Sequence, residues 1–243
     1  MIETYHVGAY WGARRESPEE CACRAKDFLT ALASLDPSFR RWFKAGRSRK
    51  EALKHRLETD QASLEKVIRR GKDRVLEQLG FSFGGWTGED DYEATAFTVF
   101  CGGCSDRVLN TCTFTLPSRG FNAERILTAP VLTGLVRTMA TAWDPDWGEC
   151  LSSPHMDLMP ELTRPTVRVG WITYVSRRLG TVPPLHAPVR IERVEDKGTL
   201  ILLTPDRFTV HNPEHVALAE RVRELLDRAG LLHPSPAQGS SQN

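Results

Sequence analysis

Hydrophobic positions along the chain change rhythm several times, and each change predicts an element. Residues 4–11, TYHVGAYW, are β-branched and aromatic and stop at Gly12, which predicts a strand. Ser17-Pro18-Glu19-Glu20 then reads as a helix start, with Ser17 as cap, Pro18 in the first turn and Glu20 reaching back. Cys21, Ala25, Phe28, Leu29, Leu32 and Leu35 follow at helical spacing and predict one buried stripe. Asp36-Pro37 predicts a short helix carrying Phe39, Trp42 and Phe43, and Ser48 and Asp60 predict the caps of two further helical pieces reaching Gly71.

After Gly80 the period becomes two. FSFGGW, YEATAFTVFC and RVLNTCTFTL, separated by GEDD and GGCSD, predict a meander of antiparallel strands. A helix opens at Pro130, buries Val131, Leu132, Leu135, Val136, Met139 and Trp143, and ends at Asp144-Pro145. TVRVGWITYVS predicts a strand over 166–176, and PVRIERVEDKGTLILLT predicts a hairpin about Asp196-Lys197-Gly198. Asn212 and Pro213 start a last helix that stops at Gly230. The order predicts an α+β fold over residues 1–232, a single domain with a mainly antiparallel sheet packed by helices. Residues 177–188 read as a flexible connection, and HPSPAQGSSQN over 233–243 as a disordered tail.

Composition narrows the class. With 40% hydrophobic and 26% charged residues the chain is an ordinary globular one, and a net charge of +1 excludes a wholesale polycation or an acidic nucleic-acid mimic. That neutrality conceals an asymmetry: residues 36–78 hold 13 basic against 7 acidic residues, whereas residues 79–162 hold 4 basic against 11 acidic. Unless the two segments interleave, they give opposite potentials on different surfaces. Glu89, Asp90, Asp91 and Glu93 crowd one turn between strands, a pattern that suits either a solvated turn or contact with a basic partner. Asp144 and Asp146 flank Pro145, which is helix-stop chemistry. The sequence has no apolar run of membrane-spanning length and no secretory leader pattern, so a cytoplasmic protein with six reduced cysteines is expected.

Catalytic constellations are missing from the pattern. The seven histidines form no HExxH pair, no serine sits in a GxSxG elbow, and the glycines make neither a phosphate loop nor a dinucleotide fingerprint. Cys101-Gly-Gly-Cys104 falls in a turn between strands, without the following helix of a redox pair or the second knuckle of a zinc site. No catalytic residue, metal site or cofactor is therefore expected. The basic segment 40–74, rich in Arg40, Arg41, Lys44, Arg47, Arg49, Lys50, Lys54 and Arg56, offers nucleic-acid binding as the alternative function. Helical spacing of Phe39, Trp42 and Phe43 argues that these aromatics pack in the core and do not stack on bases.

Several phrases taken together resemble one family: Val7-Gly8-Ala9-Tyr10-Trp11-Gly12-Ala13-Arg14, Gly46-Arg47-Ser48-Arg49-Lys50-Glu51-Ala52, Trp86-Thr87-Gly88, Trp143-Asp144-Pro145-Asp146-Trp147-Gly148 and Gly170-Trp171-Ile172-Thr173-Tyr174. In these the chain resembles the immunity protein 52 family of bacterial polymorphic toxin systems. The resemblance implies a cytoplasmic antidote, encoded beside a toxin and acting by forming a complex with it. It further implies toxins with a restriction-endonuclease-like nuclease domain, deliverable by type VI secretion. A nuclease cleft is basic, so acidic residues with aromatic anchors are the expected contacts: Glu89, Asp90, Asp91, Glu93, Trp86, Asp144, Asp146 and Trp147, with Tyr92 and Trp143 nearby. The CGGC turn and the Cys21-Ala22-Cys23 pair depart from the family pattern and carry no function over.

Overall fold

The computed structural model describes residues 2–72, 76–159 and 165–233. Ser17 accepts the Glu20 N–H while the Glu20 carboxylate accepts the Ser17 N–H, so α1 (Pro18–Leu32) starts on a reciprocal cap. Asp60 and Asn212 likewise cap α3 (Gln61–Arg70) and the last helix, Pro213–Arg228, and Ser48 caps the single turn α2 (Arg49–Ala52). These local signals act where the sequence places them.

Eight strands form one antiparallel sheet in the order β2-β3-β4-β1-β5-β6-β8-β7. The first strand, β1 (Tyr5–Trp11), lies in its middle, between β4 (Asn110–Thr115) and β5 (Trp147–Ser152). Outward from β4 come β3 (Ala96–Cys101) and the edge strand β2 (Phe81–Trp86). Outward from β5 come β6 (Ile172–Ser176), β8 (Gly198–Leu202) and the other edge, β7 (Arg190–Val194).

Helix α5 (Ala129–Trp143) and α1 pack on the sheet and on each other. Phe28 from α1 meets Phe97, Phe114 and Trp143 edge-on at 5.8–6.0 Å between ring centres, and Trp143 stacks on Trp11 at 5.8 Å. Each of these rings is almost wholly buried, worth about 1.5–3 kcal/mol apiece by transfer from water. One apolar cluster runs from Tyr5 to Leu232 and joins the first and last elements.

Two expectations are corrected. The short helix after Asp36 is a 3₁₀ turn that ends at Arg40, so Trp42 and Phe43 are extended and not helical. The reason is pairing: Phe43 exchanges backbone hydrogen bonds with Trp86 at 2.8 and 3.0 Å and bridges to Arg56, extending the sheet beyond β2. Trp42 is still core, edge-on to Phe97 at 4.8 Å. The strand expected over 166–176 contracts to β6, because the Gly170 N–H turns to bond the Thr173 hydroxyl. Two elements had not been foreseen, β5 and the short α4 (Gly120–Ile126). Of the expected tail, residues 234–243 lie outside the described residues.

Candidate functional site

The acidic turn closes the β2–β3 hairpin. Thr87 and Thr95 bond across its neck, with the Thr87 N–H on the Thr95 carbonyl and the Thr95 N–H on the Thr87 hydroxyl. Its four carboxylates then divide by role. Glu93 folds inward, accepting the Asn122 N–H while its carbonyl accepts the Asn122 amide, so it holds the start of α4. Gly120, at φ +77°, leaves room where a Cβ would collide with the Glu93 carboxylate. Asp90 pairs with Arg49 at 2.7 Å, which joins the acidic turn to the basic segment. Glu89 and Asp91 are exposed and make no ion pair among the described residues. Tyr92 is 58% exposed beneath the Arg119 guanidinium, and half-buried Trp86 packs edge-on to Phe43.

Asp144, Asp146 and Trp147 lie elsewhere. Asp144 ends α5 in the left-handed region at φ 48°. Arg178 bonds Asp144 at 2.8 Å and Asp146 at 3.0 Å, and also donates to the carbonyls of Asp144 and Pro145. The second oxygen of Asp146 accepts the Gly12 N–H at 3.0 Å, while Arg14 donates to the carbonyls of Trp143 and Asp144. Trp147 is buried and stacks on Tyr10 at 5.3 Å. The GAYWGAR and WDPDWG phrases are therefore two halves of one interlocked corner, with Arg178 as a third member that no sequence spacing signalled.

Strand register separates these two groups. Trp86 pairs with Ala96, Ala96 with Thr115 and Thr115 with His6, which places the acidic turn at one end of the strands. Trp147 pairs with Tyr10, and Trp11 with Asn110, at the other end. The eight expected contacts thus occupy opposite ends of the sheet, and of their carboxylates Glu89 and Asp91, both at the hairpin end, make no ion pair among the described residues.

Between the two ends lies a buried polar group. Glu149, on β5, has no exposed surface and is held by Arg168, with Tyr10 and His6 beside it and 3.3 Å between the His6 Nε2 and the Tyr10 hydroxyl. Burial lifts the Glu149 carboxyl above the ordinary carboxylate value against the pull of Arg168, and lowers His6 below the ordinary histidine value. Cys101 is buried against Cys21, and that contact with burial drives its thiol well above the usual range, opposite to the shift of a reactive cysteine. Cys104 accepts a hydrogen bond from Arg15. No cluster of three metal-ligating side chains occurs among the described residues, and no helix among them is long and apolar enough to cross a membrane.

Comparison with known proteins places this architecture. The family model described as Immunity protein 52 matches residues 3–235. No curated protein matches the chain. Among solved structures, the Pseudomonas aeruginosa T6SS protein PA0821 shares the fold, with a TM-score of 0.56 at 14% identity over 92% of this chain and 76% of that one.

Proposed function

The chain belongs to the immunity protein 52 family, and from that premise we propose that it neutralises a cognate bacterial toxin by binding it in the cytoplasm. The match over residues 3–235 carries this reading. The partner is a nuclease effector of restriction-endonuclease type, delivered by type VI secretion and encoded by the adjacent gene. No turnover by the chain is involved. A nuclease concentrates positive charge around its cleft to hold a polyanion, so an antidote with free carboxylates on a rigid hairpin is drawn to that cleft and keeps substrate out.

Glu89, Asp91 and the exposed ring of Tyr92 are the contacts that this reading favours, with Asp90 and Trp86 at their border. Glu93, Asp144, Asp146 and Trp147 act through the fold, because each is already engaged inside the molecule.

Co-expression with the neighbouring reading frame tests the proposal. The expected result is rescue of growth, a stable complex with a catalytically inactivated toxin, and stoichiometric inhibition of its DNA cleavage. A toxin that is lethal despite abundant antidote and does not co-purify with it would overturn the reading, and a toxin without nuclease activity would overturn its finer part.

A further inference from the structure

Beside the acidic turn the surface sinks into an open depression of about 500 Å³, lined by Arg40, Arg41, Arg56, Arg125, Glu89 and Asn122 among others. Its floor is stiff. Phe43 is tied to Trp86 by two backbone bonds, the Leu57 N–H donates to the Trp42 carbonyl at 2.9 Å, and Arg125 grips Asp36 with two bonds of 2.6 and 2.8 Å.

Charge in this depression does not balance. Arg125 is neutralised by Asp36, but Arg40, Arg41 and Arg56 have no carboxylate within ion-pair distance among the described residues. Arg40 donates one bond to the Ala33 carbonyl and Arg41 lies over the Phe43 ring at 5.7 Å, which holds both near the wall. Three guanidiniums face one lining carboxylate, Glu89. Guanidinium is planar and forked, the shape that takes a carboxylate or phosphate through paired hydrogen bonds.

The surroundings favour carboxylate from a protein over nucleic acid. Trp42 is 1% exposed and Phe43 is packed on Trp86, so neither aromatic of the basic segment is free to take a base, and the exposed rings nearby, Phe121 and Tyr92, each lie against a guanidinium. Glu89 on the wall and the carboxylates of the adjoining turn repel a phosphate backbone. We infer that this depression receives acidic side chains of the toxin, with Arg40, Arg41 and Arg56 pairing to them while Glu89 and Asp91 meet the basic residues around them. The inference rests on the toxin-binding reading and adds a second charge sign to the interface. A metal-dependent nuclease, whose carboxylates sit within a basic cleft, presents the complementary arrangement.

Two triple variants of the full chain test it, each removing three positive charges. One carries Arg40→Gln, Arg41→Gln and Arg56→Gln; the other carries Arg47→Gln, Lys50→Gln and Lys54→Gln, exposed on the same segment but outside the depression. Affinity for the catalytically inactivated toxin is measured by calorimetry, with melting temperature as the check on folding. The first triple is expected to weaken binding about 100-fold or more and the second less than about 5-fold. Should the first triple melt early, single Arg56→Gln carries the test, with about 10-fold weakening expected. Equal losses in the two triples, or none in the first, overturn the inference while leaving toxin binding intact. Wild-type binding to a short DNA duplex that disappears in the first triple also overturns it. Failure of the wild type to bind the toxin removes the underlying reading and the inference with it.

Discussion

Arg168 lays its guanidinium on the carboxylate of Glu149, a side chain with no exposed surface at the centre of the sheet. Removing one partner strands a buried charge, whereas removing both leaves a packing problem only. Arg168→Leu is expected to cost about 3–5 kcal/mol in urea unfolding, and Glu149→Leu combined with Arg168→Leu to recover most of that. A double variant no more stable than Arg168→Leu would show that the pair does not govern this site.

Two histidines make the fold sensitive to mild acid. Burial lowers His6, with Arg168 adding to the effect, and burial lowers His155 against the weaker pull of Glu3 and Glu220. The unfolded chain takes up these protons at about pH 6.5, before the folded one does, so stability is full above that pH and is lost as pH falls toward the folded values. Urea midpoints measured downward from pH 7 should fall less steeply in a His155→Gln variant than in the wild type.

At the Asp144–Asp146 corner a substitution should act on folding and not on recognition. Asp146→Ala releases the Gly12 N–H and one arm of Arg178 together, for an expected loss of about 1–3 kcal/mol. Toxin affinity, corrected for the folded fraction, should stay within about 3-fold of wild type, given the distance between the two ends of the sheet.

The exposed carboxylates should act on the encounter. Glu89→Gln with Asp91→Asn is expected to lower the association rate with the toxin about 10-fold at low salt, and much less at high salt. Glu93→Ala should instead lower the melting temperature, because its carboxylate holds the start of α4. Stopped-flow traces at two ionic strengths separate these outcomes.

What the sequence disclosed, and what it hid, follows the range of the interactions. Ser17, Asp60 and Asn212 cap helices through bonds to residues two or three positions away, so their roles are written locally. β5 is buried along its whole length and carries Glu149, so it shows neither alternation nor an apolar run. Arg168, 19 residues later, is what allows that charge inside. α4 lacks a cap of its own and depends on Glu93, 29 residues back. Phe39, Trp42 and Phe43 share the spacing of a helix face, but the pairing of Phe43 with Trp86 decides their conformation. The family resemblance was legible because GAYWGAR and WDPDWG are the interlocked corner. The arginine depression was not, because Arg56 comes beside Arg40 and Arg41 only through the bridge of Phe43 to Arg56 and the Leu57 bond to Trp42.

The central position of β1 also sets a timetable. This strand is made before the other seven, yet its partners β4 and β5 begin at residues 110 and 147, so about a hundred residues are translated before the first can pair and about 135 before the second. At bacterial elongation rates of about 5–20 residues per second, completing both pairings takes roughly 7–28 s, and no middle of the sheet exists until then. On the toxin-binding reading, a chain still short of β5 therefore lacks the centre of the sheet and adds nothing to the stock of finished antidote.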